Sequence, residues 1–181
     1  IRSQVQRLSE IVRQLLEFGR AAGRPARRMP ADVLAHSAAA AVADELAMLN
    51  VNLQLQAPTA TLHCEVDPPR FEQALTNLLR NAAQASPGGG VVLCWWQEAD
   101  CLLFQVEDDG PGVAEQHRAA LFEPFFTTKP VGKGSGLGLA VAHGVVAECG
   151  GRIDLVESPL GGAAFRISLA LANEDNRNAE G

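Results

Sequence analysis

The stretch from Asp108 to Leu139 constrains this chain more than any other. It opens with an acidic pair on a Pro/Gly turn and ends with glycines at 134, 136 and 138, just before an apolar run of helical character. Glycines at alternate positions leave backbone N–H groups open to close approach, and the helix start that follows favours negative charge. The segment therefore reads as a phosphate cradle. At its other end a carboxylate, Asp108, is placed to accept a hydrogen bond from an exocyclic amine. A base-binding end and a phosphate-binding end on one loop point to a nucleotide.

The rest of the chain has to build a floor for that loop. With 181 residues, 47% of them hydrophobic and 20% charged, it is long enough for one sizeable core plus an appendage. No apolar run approaches the ~20 residues that span a bilayer. The chain starts at Ile1 without a signal peptide, and Ile1 is expected to be an internal residue of a longer protein, whose sensory or membrane segments lie elsewhere. The net charge of −6 is uneven: residues 1–28 carry seven Arg against Glu10 and Glu17, a local +5, so the remainder stands at −11. An acidic body argues against nucleic acid as a partner. The basic stretch is open to anionic lipid, an acidic protein surface or water. Cys64, Cys94, Cys101 and Cys149 show no C-x-x-C spacing and read as free thiols in a reducing compartment. The count across an expected turn at residues 97–100 puts Cys94 nearer Leu103 than Cys101.

Periodicity divides the chain. Ile1, Val5, Leu8, Val12 and Leu15 recur at alternating steps of four and three, the seam of a bundle helix. Gly19, Gly23 and Pro25 end it, and 21–30 reads as a linker. A helix capped by Asp32 is expected through Leu49, then strands Val51–Gln56 and Thr61–Val66. Asp67-Pro68 starts a helix, Pro69–Ala85, with Phe71, Leu75, Leu78, Leu79 and Ala82 on its buried side. A hairpin, Val91–Gln97 and Cys101–Glu107, delivers the chain to Asp108. Beyond the loop come a helix over Leu137–Cys149 and strands Arg152–Val156 and Ala163–Leu171, and from Asn173 the chain is polar and expected to fray.

Asn77 and Asn81 sit one turn apart beside the leucine stripe, although a helix interior disfavours Asn. Their amide oxygens are hard neutral ligands suited to a Mg²⁺ that already carries phosphate oxygens and water.

Together these motifs resemble the catalytic ATP-binding domain of two-component sensor histidine kinases, within the GHKL (Bergerat-fold) ATPase superfamily. The match runs through Asn77-Leu78-Leu79-Arg80-Asn81-Ala82, Asp108-Asp109-Gly110-Pro111-Gly112, Phe122-Glu123-Pro124-Phe125-Phe126-Thr127-Thr128-Lys129, Gly134-Ser135-Gly136-Leu137-Gly138-Leu139 and Gly161-Gly162-Ala163-Ala164-Phe165. The short lid with its FEPFFTTK stretch and the NAAQAS run is most similar to the nitrogen-regulation sensors. The resemblance implies an α+β fold, a two-layer sandwich in which a mixed, mostly antiparallel sheet of about five strands is covered by three helices and preceded by one bundle helix. It divides the chain into residues 1–22, the second helix of a dimerisation and phosphoacceptor hairpin; 23–30, a linker; 31–172, the catalytic domain; and 173–181, a tail.

The resemblance also assigns roles. Asp108 would accept the adenine amino hydrogen, and Gly110 and Gly112 would let the backbone pass close to the base. Asn81 would ligate Mg²⁺, with Asn77 ordering the phosphates. Lys129 and Lys133 would meet the phosphate tail, and Gly134, Ser135, Gly136, Leu137 and Gly138 would close over it. Hydrolytic members of the superfamily carry a general-base Glu where this chain has Asn77, which cannot take a proton from water at neutral pH. The implied reaction is transfer to a histidine on the hairpin, outside this sequence; the alternatives are a hydrolytic ATPase and a non-catalytic module ordered by nucleotide. None of His36, His63, His117 and His143 stands in an acceptor motif. The implied partners are the receiver domain of a response regulator and a second copy of the chain, in the cytoplasm, with no nucleic acid and membrane contact only through missing segments. One departure stands out: many of these kinases have Lys or Arg three residues after the metal-binding Asn, and here the residue is Gln84.

Overall fold

The computed structural model describes residues 25–130 and 134–172. The expected bundle helix over 1–20, Lys133 and the tail from Asn173 lie outside the described residues. Arg27–Pro30, within the stretch expected to be a linker, forms strand β1 and pairs antiparallel with β3, His63–Val66. The two make a separate ribbon.

The main sheet has five strands: β2 (Asn52–Gln56), β4 (Gly90–Glu98), β5 (Cys101–Asp108), β6 (Arg152–Glu157) and β7 (Ala163–Ala170). Their order is β2-β4-β5-β7-β6. Only β2 and β4 run parallel; the other three pairings are antiparallel. The expectation of a mixed, mostly antiparallel sheet holds. Alternation sorts each strand: Leu102, Phe104 and Val106 of β5 face the helices with Val91, Leu93 and Trp95 of β4, and all six are buried.

Three longer helices cover that face: α1 (Ala31–Ala41), α3 (Pro68–Ala85) and α5 (Gly138–Glu148); α2 (Ala43–Met48) and α4 (Glu115–Arg118) are short. The central one is α3, with Asp67 at its N-cap and Pro at its first position as the sequence implies. Phe71, Leu75, Leu78, Leu79 and Ala82 are all buried, and the Phe71 ring meets Phe104 of the sheet at 5.3 Å between centroids. Each large side chain so buried contributes roughly 1.5–3 kcal/mol.

Two expectations need correcting. The single helix from Asp32 to Leu49 is instead α1 and α2, broken at Val42, and Pro30 rather than Asp32 occupies the N-cap. The break lets Leu34 and Ala38 of α1, Val42 itself and Leu46 of α2 all reach the core. The hairpin turn is tighter than four residues: Glu98 pairs with Cys101, leaving Ala99-Asp100 as the loop, with Ala99 at φ 51°. The register puts Cys94 opposite Gln105, nearer Leu103 than Cys101 as the count implies. All four cysteines are free.

Candidate functional site

The site lies where β5 ends. The sheet delivers Asp108 to the rim with a side chain only 1% exposed. Its Oδ1 accepts backbone N–H groups from Gly110 (3.0 Å) and Ala163 (3.1 Å), and Oδ2 has no partner among the described residues. The peptide oxygen of Asp108 is held as well, by Gly162 N–H (3.2 Å) and the Ser158 hydroxyl (3.3 Å). Burial raises the Asp108 carboxyl above the usual 3.8, opposed by those two N–H bonds. A carboxylate pinned by one oxygen and open at the other is a fixed acceptor.

Two glycines make this possible. A Cβ on Gly162 would collide with the Asp108 peptide oxygen, Asp108 Oδ1 and the Gly110 nitrogen; one on Gly110 would lie 2.7 Å from the Ala85 carbonyl oxygen. The neighbouring Asp109 points away. Its Oδ2 accepts from Gly90 N–H at 2.8 Å, which lowers its pKa and ties the loop to the start of β4.

From Asp108 a cavity of about 820 Å³ opens between α3, the start of α5 and the intervening loop. That is the size of a pocket for a cofactor-sized ligand. Asn77, Asn81, Asp108, Gly112, Lys129, Gly134, Ser135, Gly136 and Gly138 all line it. Gly110 lies behind Asp108. Leu137 is buried in the wall, donating its N–H to Ser135 Oγ at 3.3 Å. The residues read from the sequence are thus brought together, Lys133 being outside the described residues.

The two ends differ chemically. The walls include Pro111, Val113, Leu121, Ala163 and Phe165, and Ala163 holds Asp108 Oδ1, so the carboxylate borders an apolar slot suited to a flat ring. At the other end stand Asn77 and Asn81 beside the first turn of α5. A Cβ on Gly138 would sit 3.9 Å from the Asn77 side chain, so that helix start is close against α3. Its free N–H groups favour negative charge. Lys129 reaches across and donates from Nζ to Asn81 Oδ1 (3.3 Å) and Gln84 Oε1 (2.6 Å). Desolvation lowers the Lys129 pKa while Glu45 raises it.

Sequence reasoning missed Arg80 and His117, which also line the cavity, and Glu45 behind it. Arg80 lay inside a quoted motif without a role; Glu45 stands 35 residues away on α2, with no local signal to mark it. The lid is anchored by a close backbone approach. Phe125 N–H donates to Gly136 O at 2.9 Å, and a Cβ on Gly136 (φ 69°) would overlap the Phe125 backbone. Phe125 itself holds φ 69° with its ring largely exposed.

Residues 66–173 match the family described as "Histidine kinase-, DNA gyrase B-, and HSP90-like ATPase". The sensor kinase CckA of Brucella abortus is 34% identical over 98% of this chain and 20% of its own length. The C4-dicarboxylate transport sensor protein DctB of Pseudomonas aeruginosa is 32% identical over 90% of the chain and 27% of its own. The chain thus spans about a fifth to a quarter of these two relatives. Among solved structures, full-length ShkA in complex with AMPPNP superposes with a TM-score of 0.78 at 29% identity, covering 92% of this chain and 36% of that one. The mycobacterial sensor histidine kinase MprB gives 0.69 at 28%, covering 81% and 97%.

Proposed function

The chain belongs to the histidine kinase-, DNA gyrase B- and HSP90-like ATPase family, and from that premise we propose that it is the ATP-binding catalytic part of a sensor histidine kinase. The observation that carries the nucleotide assignment is Asp108, whose Oδ1 is fixed by two N–H groups while Oδ2 is left to a ligand. Adenine presents an amino donor to such an acceptor; guanine presents a carbonyl oxygen, which a carboxylate repels. The ring lies in the apolar slot, with Gly110 and Gly112 giving backbone access. The triphosphate extends past Ser135, Gly136 and Gly138 toward the α5 N-terminus, with Leu137 backing the loop and Gly134, Lys129 and Lys133 on its lid side.

Magnesium fits this arrangement as an ion carried in by the nucleotide. Among the described residues no group of three or more His, Cys, Asp or Glu could hold a metal. Asn81 Oδ1 already accepts a cationic group, the Lys129 ammonium, and Asn81 is the residue that would hold the ion, which when bound neutralises phosphate charge. Asn77 orders the phosphates and supplies no base.

The residues around the γ-phosphate therefore orient it without activating water. The incoming nucleophile is a histidine ring nitrogen on a hairpin helix. It forms the N–P bond as the bond to the β–γ bridging oxygen breaks, leaving ADP and a phosphohistidine for a response-regulator aspartate. Residues 1–22 supply the second helix of that hairpin, the stretch before β1 connects it to the catalytic unit, which takes in Arg27–Pro30 and runs to 172, and 173–181 form a tail; two copies pair through the hairpin. The motif pattern places it closest to the nitrogen-regulation sensors. We place the kinase in the cytoplasm; among the described residues no helix is long and apolar enough to cross a membrane.

The test is transfer in trans. The chain is mixed with a separate hairpin fragment carrying an acceptor histidine and with γ-labelled ATP. Acid-labile, base-stable label on the hairpin, and none on this chain alone, is the expected result. Nucleotide binding without transfer to any hairpin, accompanied by steady phosphate release, would replace the kinase by a hydrolytic ATPase.

A further inference from the structure

The phosphate end of the cavity contains a connected set of polar groups that the sequence motifs do not include. Glu45, on α2, accepts from Arg80 Nε through Oε2 (2.7 Å) and from Gln84 Nε2 through Oε1 (2.9 Å). Gln84 in turn presents Oε1 to Lys129 Nζ at 2.6 Å, and the same ammonium reaches Asn81 Oδ1 at 3.3 Å. One carboxylate is thus linked through one amide to the lysine beside Asn81.

An amide side chain has two faces, and only one of them attracts a lysine. If the Gln84 amide were reversed, its NH₂ group would point at the ammonium and its oxygen at the Glu45 carboxylate, two repulsive contacts in place of two attractive ones. A carboxylate can only accept, so Glu45 fixes which way Gln84 faces. Arg80, on the other carboxylate oxygen, keeps that oxygen occupied and balances its charge. The remaining unbalanced charge in the set is the Lys129 ammonium, pointed at the end of the cavity where phosphates are expected.

We propose that Glu45 is a positioning residue for the phosphate end of the nucleotide, acting through Gln84 to hold Lys129 beside Asn81 and so supplying, from the lid, the positive charge that position 84 lacks. The inference rests on the nucleotide reading given above. It goes beyond that reading by assigning a function to α2, whose side chain reaches the site only through intermediaries, and to Gln84, whose amide performs an orienting role that a basic residue at 84 would make unnecessary. Oriented charge on the terminal phosphates discriminates ATP from ligands without them and leaves the base and ribose contacts alone.

The experiment compares binding of ATP and of adenosine by titration calorimetry on the full chain, in the parent and in four variants: Glu45→Gln, Lys129→Met, the two combined, and Glu45→Gln with Gln84→Lys. Glutamine at 45 keeps the size of the side chain and can either donate or accept, so it removes the orienting constraint with little change in packing. Glu45→Gln is expected to weaken ATP about tenfold, the size of one charge-assisted contact, and to leave adenosine within about twofold. In the Lys129→Met background the same change at 45 should have no further effect, because the group it positions is gone. Adding Gln84→Lys to Glu45→Gln should restore ATP affinity, since a basic residue at 84 needs no orienting partner. A Glu45→Gln protein that binds ATP like the parent, that loses adenosine and ATP to the same degree, or whose loss adds in full to that of Lys129→Met, would overturn the inference alone. A parent chain that binds neither ligand would refute the nucleotide reading and the inference with it.

Discussion

Replacing Asp108 by Asn exchanges one oxygen for an NH₂ group and reverses a single hydrogen bond. Oδ1 accepts from Gly110 and Ala163 N–H groups, and an amide oxygen can keep both bonds. Keeping them forces the NH₂ group into the Oδ2 position, where it faces the amino donor of adenine. The lost bond to a charged acceptor is worth about 1.5–3 kcal/mol, and a donor left against a donor adds about 1–3 kcal/mol. About 3 kcal/mol in all corresponds to a roughly 150-fold rise in the Kd for ATP. Folding should not suffer. Burial raises the Asp108 pKa above 3.8, so the folded protein holds that proton more tightly than the unfolded chain. The stability this gives is complete below the unfolded pKa and is lost as pH rises through the folded one. At pH 7 the parent therefore carries the cost of a buried carboxylate, and the Asn variant should be at least as stable. By the same sign, ATP affinity of the parent should fall relative to that of the variant as pH is lowered through the raised pKa, the titration of the ATP phosphates being common to both. A fluorescent ATP analogue titrated on both proteins down the pH range in which they stay folded, with thermal melts of each, reads all of this. An Asp108→Asn protein that is folded and binds ATP within about threefold of the parent would refute the assignment of Oδ2 to the base.

Other substitutions test the supports of the site. Gly162→Ala drives a methyl group into the Asp108 peptide oxygen and the Gly110 nitrogen; the expected cost is about 2 kcal/mol of stability, seen as a lower urea midpoint, together with loss of ATP binding. Phe71→Ala removes a fully buried ring packed on Phe104 and should cost about 3–5 kcal/mol by the same denaturation, with a midpoint shift under 1 kcal/mol contradicting the central place given to α3. Burial pushes the Cys64 thiol up to about 12 and Cys94 to about 11, and burial also raises Cys149, whereas Cys101 is exposed. A thiol reagent at pH 8 should therefore label Cys101 quickly and the other three slowly, and two fast thiols of equal rate would count against the described packing.

What the sequence made legible was whatever depends on local chemistry. The stripe Phe71, Leu75, Leu78, Leu79 and Ala82 is set by the 3.6-residue period and appears buried as expected. The cavity residues were legible because glycines and a helix-interior Asn are costly unless something close to them needs the space or the amide. The unread parts depend on contacts distant in sequence. Residues 27–30 look like linker because RRMP has no strand alternation; they become β1 because β3 offers an edge for pairing. The tight Ala99-Asp100 turn lacks the Asn-Gly signature that marks such loops, and Gln97 Nε2 bonding to Ala99 O at 3.0 Å supports it instead. Glu45 could not be read at all, since its importance comes from standing beside Arg80 and Gln84 across the α2–α3 junction.

The fold also explains why the two kinds of legibility meet in one helix. α3 turns its leucines to the sheet and its asparagines to the cavity, so the same eighteen residues are both the centre of the core and the floor of the site. Asn77 and Leu78, or Leu79 and Arg80, are chain neighbours with opposite duties, and their angular separation is fixed by helical geometry. A shift of α3 large enough to spoil the core would rotate Asn81 away from Lys129, and one small enough to spare the site is already resisted by Phe71 against Phe104. The lid has the opposite character. It meets the rest through Phe122, stacked on His143 of α5 and edge-on to Phe165 of β7, and through Lys129 on Asn81 and Gln84, whose side chains face the cavity. The Lys129 ammonium keeps a third N–H beyond those on Asn81 and Gln84, so an anionic ligand that reaches it adds to the tie between lid and α3. Binding at the phosphate end and the position of the lid are then coupled through one residue, while the Asp108 end, held by backbone N–H groups, stays fixed.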